Sequence, residues 1–352
     1  MSTPNKTFVF KKVPQGFPVP GQDLVTEDRP IDLNAVPQGG LVIQNFVTSL
    51  DPYMRSRMRD ASIKSYTPAY DLGGAVTSSC IAKVLKSDSP DFKEGDLVSA
   101  FVNIAEYAHV PKELIAGKRV FKLHNPHNLD LALFVGHLGM PGLTAYSSLY
   151  KIGKPKKGET IFISSAAGAV GQVVGQIAKH EGLTVIGSVG SDEKLEYITK
   201  ELGFDAGTNY KKESTADALK RLAPNGIDIY YENVGGDVLE GALDAMNTHG
   251  RVVACGMISQ YNVKDASDRF GVKNLMYIVT KRITMQGFVV SDAEFGPAYG
   301  QEHQQKVQSW LADGSFKAKL HVTDGIDNAG EGFLGLLEGK NFGKAVVKIA
   351  DY

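Results

Sequence analysis

Cysteine and tryptophan are nearly absent from this 352-residue chain, which has two of the first and one of the second. Cys80 and Cys255 stand far apart, too few for a disulfide framework or a four-cysteine structural zinc site. They read as reduced thiols of a cytoplasmic protein. An excess of either charge is also missing: 38 Lys and Arg oppose 39 Asp and Glu, a net charge of −1. With no polybasic block, nothing points to nucleic acid as a partner. No stretch approaches the roughly 18 apolar residues needed to cross a bilayer, and the segment up to Phe10 lacks the apolar centre of a signal peptide. The eight histidines form no i, i+4 pair that would ligate a metal from one helix face, so no metal is expected.

What the chain does have is the run Ile161-Phe162-Ile163-Ser164-Ser165-Ala166-Ala167-Gly168-Ala169-Val170-Gly171. It begins as a short apolar strand, breaks into small residues, and restarts with helical spacing at Val170, Val173, Val174, Ile177 and Ala178. A strand, a tight turn and a helix form the first unit of a dinucleotide-binding fold, where the helix N-terminus offers N–H groups to a pyrophosphate. Gly168 and Gly171 fit the last two glycines of the fingerprint, but Ala166 stands where the first belongs. Alone the motif is weak, because small residues also let a helix lie close on a strand.

The surroundings strengthen it. Further strands are expected at Thr184 to Val189, Ala206 to Tyr210, Ile227 to Tyr231, Arg251 to Cys255 and Ile283 to Val290. Helices are expected near Asp192 to Leu202, Thr215 to Ala223, Val238 to Met246 and Arg269 to Thr280. Strands alternating with helices argue for an α/β fold, a doubly wound parallel sheet covered on both faces. An NAD site places a carboxylate at the end of the second strand to hold the adenine-ribose 2′-hydroxyl. Here that strand ends Val189-Gly190-Ser191 without one, and Lys194 follows where it could meet a 2′-phosphate. This favours NADPH. The competing reading leaves Lys194 in solvent and gives the ribose to Asp192, although Ser191 and Asp192 suit an N-cap and first turn for local reasons.

The first 135 residues have another texture: short alternating strands at Leu41 to Val47, Ile81 to Leu85 and Leu97 to Phe101, punctuated by Pro and Gly turns. This is the pattern of a compact barrel-like domain. Mixed signals return in the tail, with a strand at Lys317 to Val322, a helix near Asn328 to Leu337 and a strand at Ala345 to Ile349. The domains expected are therefore 1–136 completed by 314–352, with the dinucleotide-binding domain, 137–313, inserted between.

Several runs carry a resemblance. They are Leu50-Asp51-Pro52-Tyr53-Met54-Arg55, the Ala166 to Gly171 turn, Gly190-Ser191-Asp192-Glu193-Lys194 and Asn209-Tyr210-Lys211. Others are Glu232-Asn233-Val234-Gly235-Gly236, Cys255-Gly256-Met257-Ile258-Ser259-Gln260-Tyr261-Asn262 and Asn341-Phe342-Gly343-Lys344. With them the chain resembles the medium-chain dehydrogenase/reductase superfamily over nearly its whole length. Within it, the chain looks like the zinc-independent branch of prostaglandin reductases, leukotriene B4 12-hydroxydehydrogenases and 2-alkenal (double-bond) reductases. Zinc relatives carry a His-Glu pair where this chain has Gly73-Gly74.

The resemblance implies a Rossmann domain inserted into a GroES-like, β-barrel-type domain. It implies that Gly168, Ala169, Val170 and Gly171 line the pyrophosphate and that Lys194 and Tyr210 hold the adenine-ribose end. Asn233 would sit near the cofactor. Cys255, Gly256, Met257, Ile258, Ser259, Gln260 and Tyr261, with Phe288, Val289 and Val290, would flank the nicotinamide. Asn341 would contact the cofactor from the other domain, and Tyr53 and Arg55 would face the substrate. Tyr261 is the candidate catalytic residue, either donating to the substrate oxygen or fastening the cofactor ribose. Each has a plainer reading: Tyr210 as a strand aromatic, Arg55 as a surface arginine, Asn233 as a helix cap, Gly235 and Gly236 as turn formers. The activity implied is NADPH-dependent reduction of the C=C bond of small α,β-unsaturated ketones and aldehydes by a cytoplasmic homodimer. Quinone reduction, hydroxy-lipid oxidation and NADPH binding without turnover are the alternatives.

Overall fold

The computed structural model describes residues 2–352. The chain forms two compact units, one holding the chain up to Gly136 together with Leu320–Tyr352, the other His137–Lys319.

In the first unit, β1 (Lys6–Phe10) and β2 (Leu24–Asp28) form an antiparallel ribbon. The chain continues through β3 (Leu41–Ser49), α1 (Tyr53–Arg57), β4 (Thr77–Ser87), β5 (Leu97–Asn103), β6 (Tyr107–Val110), α2 (Lys112–Ala116) and β7 (Val120–Lys122). Strands β3, β4, β5 and β7 are successive antiparallel neighbours. Val98, Ala100 and Val102 alternate with outward residues along β5, the period-two pattern of a strand with one buried face. They join Leu41, Ile43, Cys80, Ala82 and Val84 in one apolar cluster.

The second unit begins with α3 (Met140–Ser148), β8 (Thr160–Ile163), α4 (Gly171–His180), β9 (Thr184–Val189), α5 (Asp192–Glu196) and β10 (Ala206–Asn209). It continues with α6 (Thr215–Leu222), β11 (Ile227–Glu232), α7 (Gly236–Ala245), β12 (Met246–Ala254), α8 (Met276–Thr280), β13 (Thr284–Gly287) and α9 (Gly296–Ala312). The six strands are all parallel, in the order β10-β9-β8-β11-β12-β13. Chain order reverses between β8 and β11, and the crevice beyond the strand ends at such a point is where ligands bind in these sheets. Phe162, Ile186, Tyr230 and Val252 pack from the sheet against Leu219 of α6 and Leu239, Ala242 and Leu243 of α7. The tail returns to the first unit as β14 (Leu320–Asp324), α10 (Ala329–Leu337) and β15 (Lys344–Lys348). Strand β15 lies between β14, parallel to it, and β3, antiparallel.

Three local expectations are corrected, and one helix lies where none is expected. Residues 269–275 are irregular, and only Met276–Thr280 is helical. The Lys273 amide donates to Glu240 Oε2 at 2.7 Å and Asn274 Nδ2 to the Glu240 carbonyl at 2.8 Å, so this stretch is tied to α7 instead of to its own preceding turn. Strand β13 stops at Gly287, opposite the last residue of β12, so Phe288, Val289 and Val290 lie in the turn beyond it. The tail strand starts at Leu320, not Lys317, because Gln172 and Gln176, one turn apart on α4, bind the backbone of Lys319 and Lys317. Each side chain both donates and accepts, at 2.7–3.2 Å, which keeps 314–319 with the second unit. Helix α9, the longest among the described residues, escaped the periodicity argument because only Val307 of its four buried residues carries an apolar side chain, beside Gly296, His303 and Gln308.

Candidate functional site

The site is built on the turns that leave the C-terminal ends of the parallel strands. After β8, Ser165 takes a left-handed backbone (φ 51°), and its carbonyl accepts from the Gly168 amide at 2.9 Å. Helix α4 then starts with no side-chain cap, and the amides of Gln172 and Val173 donate to the carbonyls of Gly168 and Val170, both at 3.1 Å. A Cβ on Gly171 would stand 2.3 Å from the Ser165 carbonyl oxygen, so only glycine lets the helix begin this close to the turn. The alanine in place of the first fingerprint glycine has its own accommodation. A Cβ on Gly187 of β9 would lie 2.7 Å from the Ala166 methyl, so glycine has in effect moved to the neighbouring strand.

At the end of β9, Ser191 caps α5 by accepting from the Lys194 amide at 3.2 Å. Asp192 is already engaged: Asn209 Nδ2 donates to its Oδ1 at 2.9 Å, and Lys212 pairs with its Oδ2. Lys194 is half-buried, and burial together with the Lys211 charge pulls its ammonium below the usual lysine range. The Tyr210 hydroxyl reaches over Gly190, 3.0 Å from where a Cβ would stand there, with the ring about half exposed. Lys194, Lys211 and Tyr210 thus gather beside the end of β9, and the carboxylate that competed with Lys194 is bonded to Asn209 and Lys212.

Beyond β11, Asn233 donates its side-chain amide to the Ser164 carbonyl at 2.8 Å and its backbone amide to Ser164 Oγ at 2.9 Å. Its side chain therefore joins the β8 turn to the β11 turn and does not cap α7, whose N-cap is Gly235. Gly235 and Gly236 have φ of 75° and 62°, a double left-handed turn open to glycine. Beyond β12, residues 255–261 fold back on themselves: the Tyr261 hydroxyl accepts from the Met257 amide at 3.3 Å and hangs over Gly256. Phe288 packs on Phe295, centroids 5.0 Å apart, and the Val290 carbonyl accepts from the Gly296 amide at 2.8 Å. All the turns named from the sequence for the cofactor in this unit thus lie at the C-terminal ends of the strands of one sheet.

In the first unit, Tyr53 opens α1 and packs on the core cluster that holds Met54 and Phe333. Arg55 donates from Nη2 to the Gly16 carbonyl at 2.7 Å and to that of Pro14 at 3.4 Å. Asn341 Nδ2 bridges to the Gly343 carbonyl at 2.7 Å. Lys344 is buried and paired with Asp51 at 2.8 Å, which joins the Asn341 turn to the turn before α1. Neither Lys344 nor the buried Ser164 and Glu232 were singled out from the sequence. A lysine or glutamate that packing will bury looks like any charged residue until its partners are known. Among the described residues, no group of three His, Cys, Asp or Glu stands close enough to hold a metal ion.

Comparison with known proteins decides the family. Sequence models described as "Zinc-binding dehydrogenase" and "N-terminal domain of oxidoreductase" match residues 169–302 and 6–117. The chain is 53% identical over 348 residues to the NADP-dependent oxidoreductase RED1 of Cochliobolus heterostrophus, covering 99% of this chain and 98% of that one. The chain belongs to the zinc-independent branch of the medium-chain dehydrogenase/reductase family. It is also 41% identical over 350 residues to a 2-alkenal reductase (NADP(+)-dependent) of Nicotiana tabacum, covering 98% of each. A solved structure of CurA from Vibrio vulnificus in complex with NADPH has 34% identity and a TM-score of 0.87, over 99% of this chain and 100% of that one.

Proposed function

We propose that this protein is an NADPH-dependent reductase of the C=C bond of α,β-unsaturated ketones and aldehydes. The residues present suit the cofactor: an uncapped helix start with a glycine that admits no Cβ, and a lysine pair beside Tyr210 at the end of β9. The observation that carries the reaction is the position of Tyr261, a hydroxyl held over Gly256 by the 255–261 turn at the C-terminal end of β12. Bound NADPH supplies a hydride to the electron-poor β-carbon. As enolate charge develops on the substrate oxygen, Tyr261 donates a hydrogen bond to it, and the α-carbon takes its proton from solvent or a relay. The turns at 164–171, 233–236, 255–261 and 288–290 hold the reacting carbons in line and exclude water. The same reading assigns Tyr53 and Arg55 to the substrate and Asn341 to the cofactor. Cys80 and Cys255 are both free thiols, which supports a cytoplasmic setting.

The test is a substrate panel under one set of conditions: a nonenone, a nonenal, a naphthoquinone, and a hydroxy-lipid with oxidised cofactor. Turnover of the enone and enal with NADPH, at kcat/KM well above that of the quinone, is expected. A preference for the quinone or for the oxidative direction would replace the reading with that activity. No turnover of any would leave an NADPH-binding protein.

Two features support a homodimer. Strand β13 has a neighbour on one edge only, and Leu275, Met276 and Val279, just before it, are exposed apolar side chains. An unpaired strand edge beside exposed apolar residues is a template for pairing, and a two-fold axis would continue the sheet through both subunits. Light scattering at micromolar concentration should return twice the mass of one chain. The monomer mass would refute the assembly.

A further inference from the structure

The C-terminal end of the sheet that carries the site has a buried carboxyl group beneath it that touches no ligand in the mechanism above. Glu232, the last residue of β11, has no solvent exposure. Its Oε1 accepts from the Val234 amide at 2.6 Å, the Tyr230 hydroxyl at 2.8 Å and the Gly235 amide at 2.9 Å, and Ser164 Oγ lies at 3.4 Å. Successive N–H groups that converge in a left-handed turn make a small anion cradle. This one is filled from inside by the residue that precedes it.

The backbone of Glu232, Asn233 and Val234 holds the next turn. The Glu232 carbonyl accepts from the amides of Cys255 and Gly256 at 3.0 and 3.1 Å. The Asn233 carbonyl accepts from Ile258 at 3.1 Å, and the Val234 carbonyl from Ser259 at 3.0 Å. On the other side, Asn233 is bonded twice to Ser164, at the end of β8. One buried carboxyl therefore sits where the turns after β8, β11 and β12 are fastened together.

We propose that Glu232 is a positioning residue for the nicotinamide end of the cofactor site, setting the Asn233–Gly236 turn from below and through it the 255–261 turn that carries Tyr261. This rests on the NADPH reading above. The alternative is that the carboxyl only stabilises the fold. Burial drives the carboxyl above the ordinary range while the two amides oppose it, a cost that packing alone does not need. Glutamine at 232 keeps an oxygen acceptor for both amides, whereas alanine leaves them unsatisfied.

The experiment compares Glu232→Ala, Glu232→Gln, Tyr230→Phe and Val98→Ala, the last removing buried apolar atoms from the core cluster of the first unit, which shares no member with the cluster that holds Tyr230. Amide hydrogen exchange on the ligand-free protein is measured alongside NADPH titration and kinetics. Glu232→Ala should speed exchange at Val234, Gly235 and 255–259 about tenfold or more, leave β9 and β10 protected, and weaken NADPH binding about tenfold. Glu232→Gln should recover NADPH affinity to within about threefold. Tyr230→Phe, which removes a single donor, should weaken NADPH about two- to fivefold and covers the case in which Glu232→Ala does not fold. Val98→Ala should lower the melting temperature with NADPH affinity unchanged. The proposal is overturned if exchange at those amides does not move, if glutamine fails to rescue, if Tyr230→Phe leaves NADPH affinity unchanged, or if Val98→Ala weakens NADPH as much as the Glu232 variant. Exchange that rises locally in a wild-type background that binds no NADPH would keep the structural hub and reject the cofactor reading alone.

Discussion

Replacing Lys194 by alanine should weaken NADPH binding by about 1.5–3 kcal/mol, tenfold to over a hundredfold, and leave NADH nearly untouched. The difference between the cofactors is one phosphate, so only a group that meets it can separate them. Asp192, the carboxylate that would favour NADH, is bonded to Asn209 and paired with Lys212, so it is turned to its own surroundings. Lys194 is half-buried, with Lys211 as the leading like charge, and a dianionic group would relieve that repulsion. Titrating both cofactors by fluorescence measures it. Equal losses would show that the selector lies elsewhere.

Tyr261→Phe should lower turnover about 10- to 100-fold with NADPH affinity changed only slightly. Removing the main oxyanion donor costs on the order of 10²–10³ in known cases, and a cofactor ribose hydroxyl remains here as a second donor. The ring stays, so packing is preserved and only the hydroxyl is lost. That hydroxyl also accepts from the Met257 amide at 3.3 Å, so a small loosening of the turn is built into the variant. Single-turnover rates at saturating NADPH separate the two contributions. Intact turnover with collapsed NADPH affinity would make Tyr261 a cofactor anchor instead.

The two predictions differ in how much of their basis was visible in the sequence. The strand-turn-helix run at Ile161 to Gly171 was legible because its signals are local: an apolar strand, small residues, then helical spacing. The alternation of further strands and helices fixed the sheet class for the same reason, since each element advertises its own buried face. Helix α9 is not foreseen from the sequence, and the 269–275 stretch is irregular where a helix is expected, because their decisive contacts are polar and distant. His303 Nε2 lies 2.9 Å from the His137 carbonyl, and Lys273 is held by Glu240. No periodicity records either.

The site divides along the same line. The sequence by itself determined the residue types on offer: the glycines of the β8 turn, the lysine after β9, the tyrosine after β12. Only the tertiary structure decided which of them are committed elsewhere. Asp192 was engaged by residues 17 and 20 positions away. Ala166 was made tolerable by Gly187 on the next strand, and Glu232 was turned from a strand-end charge into a buried anchor for three turns. Local pattern reflects what a segment buries, which its own residues dictate. Hydrogen-bond and charge partners are chosen by whatever the fold brings alongside, and that exists only once the strands are in register.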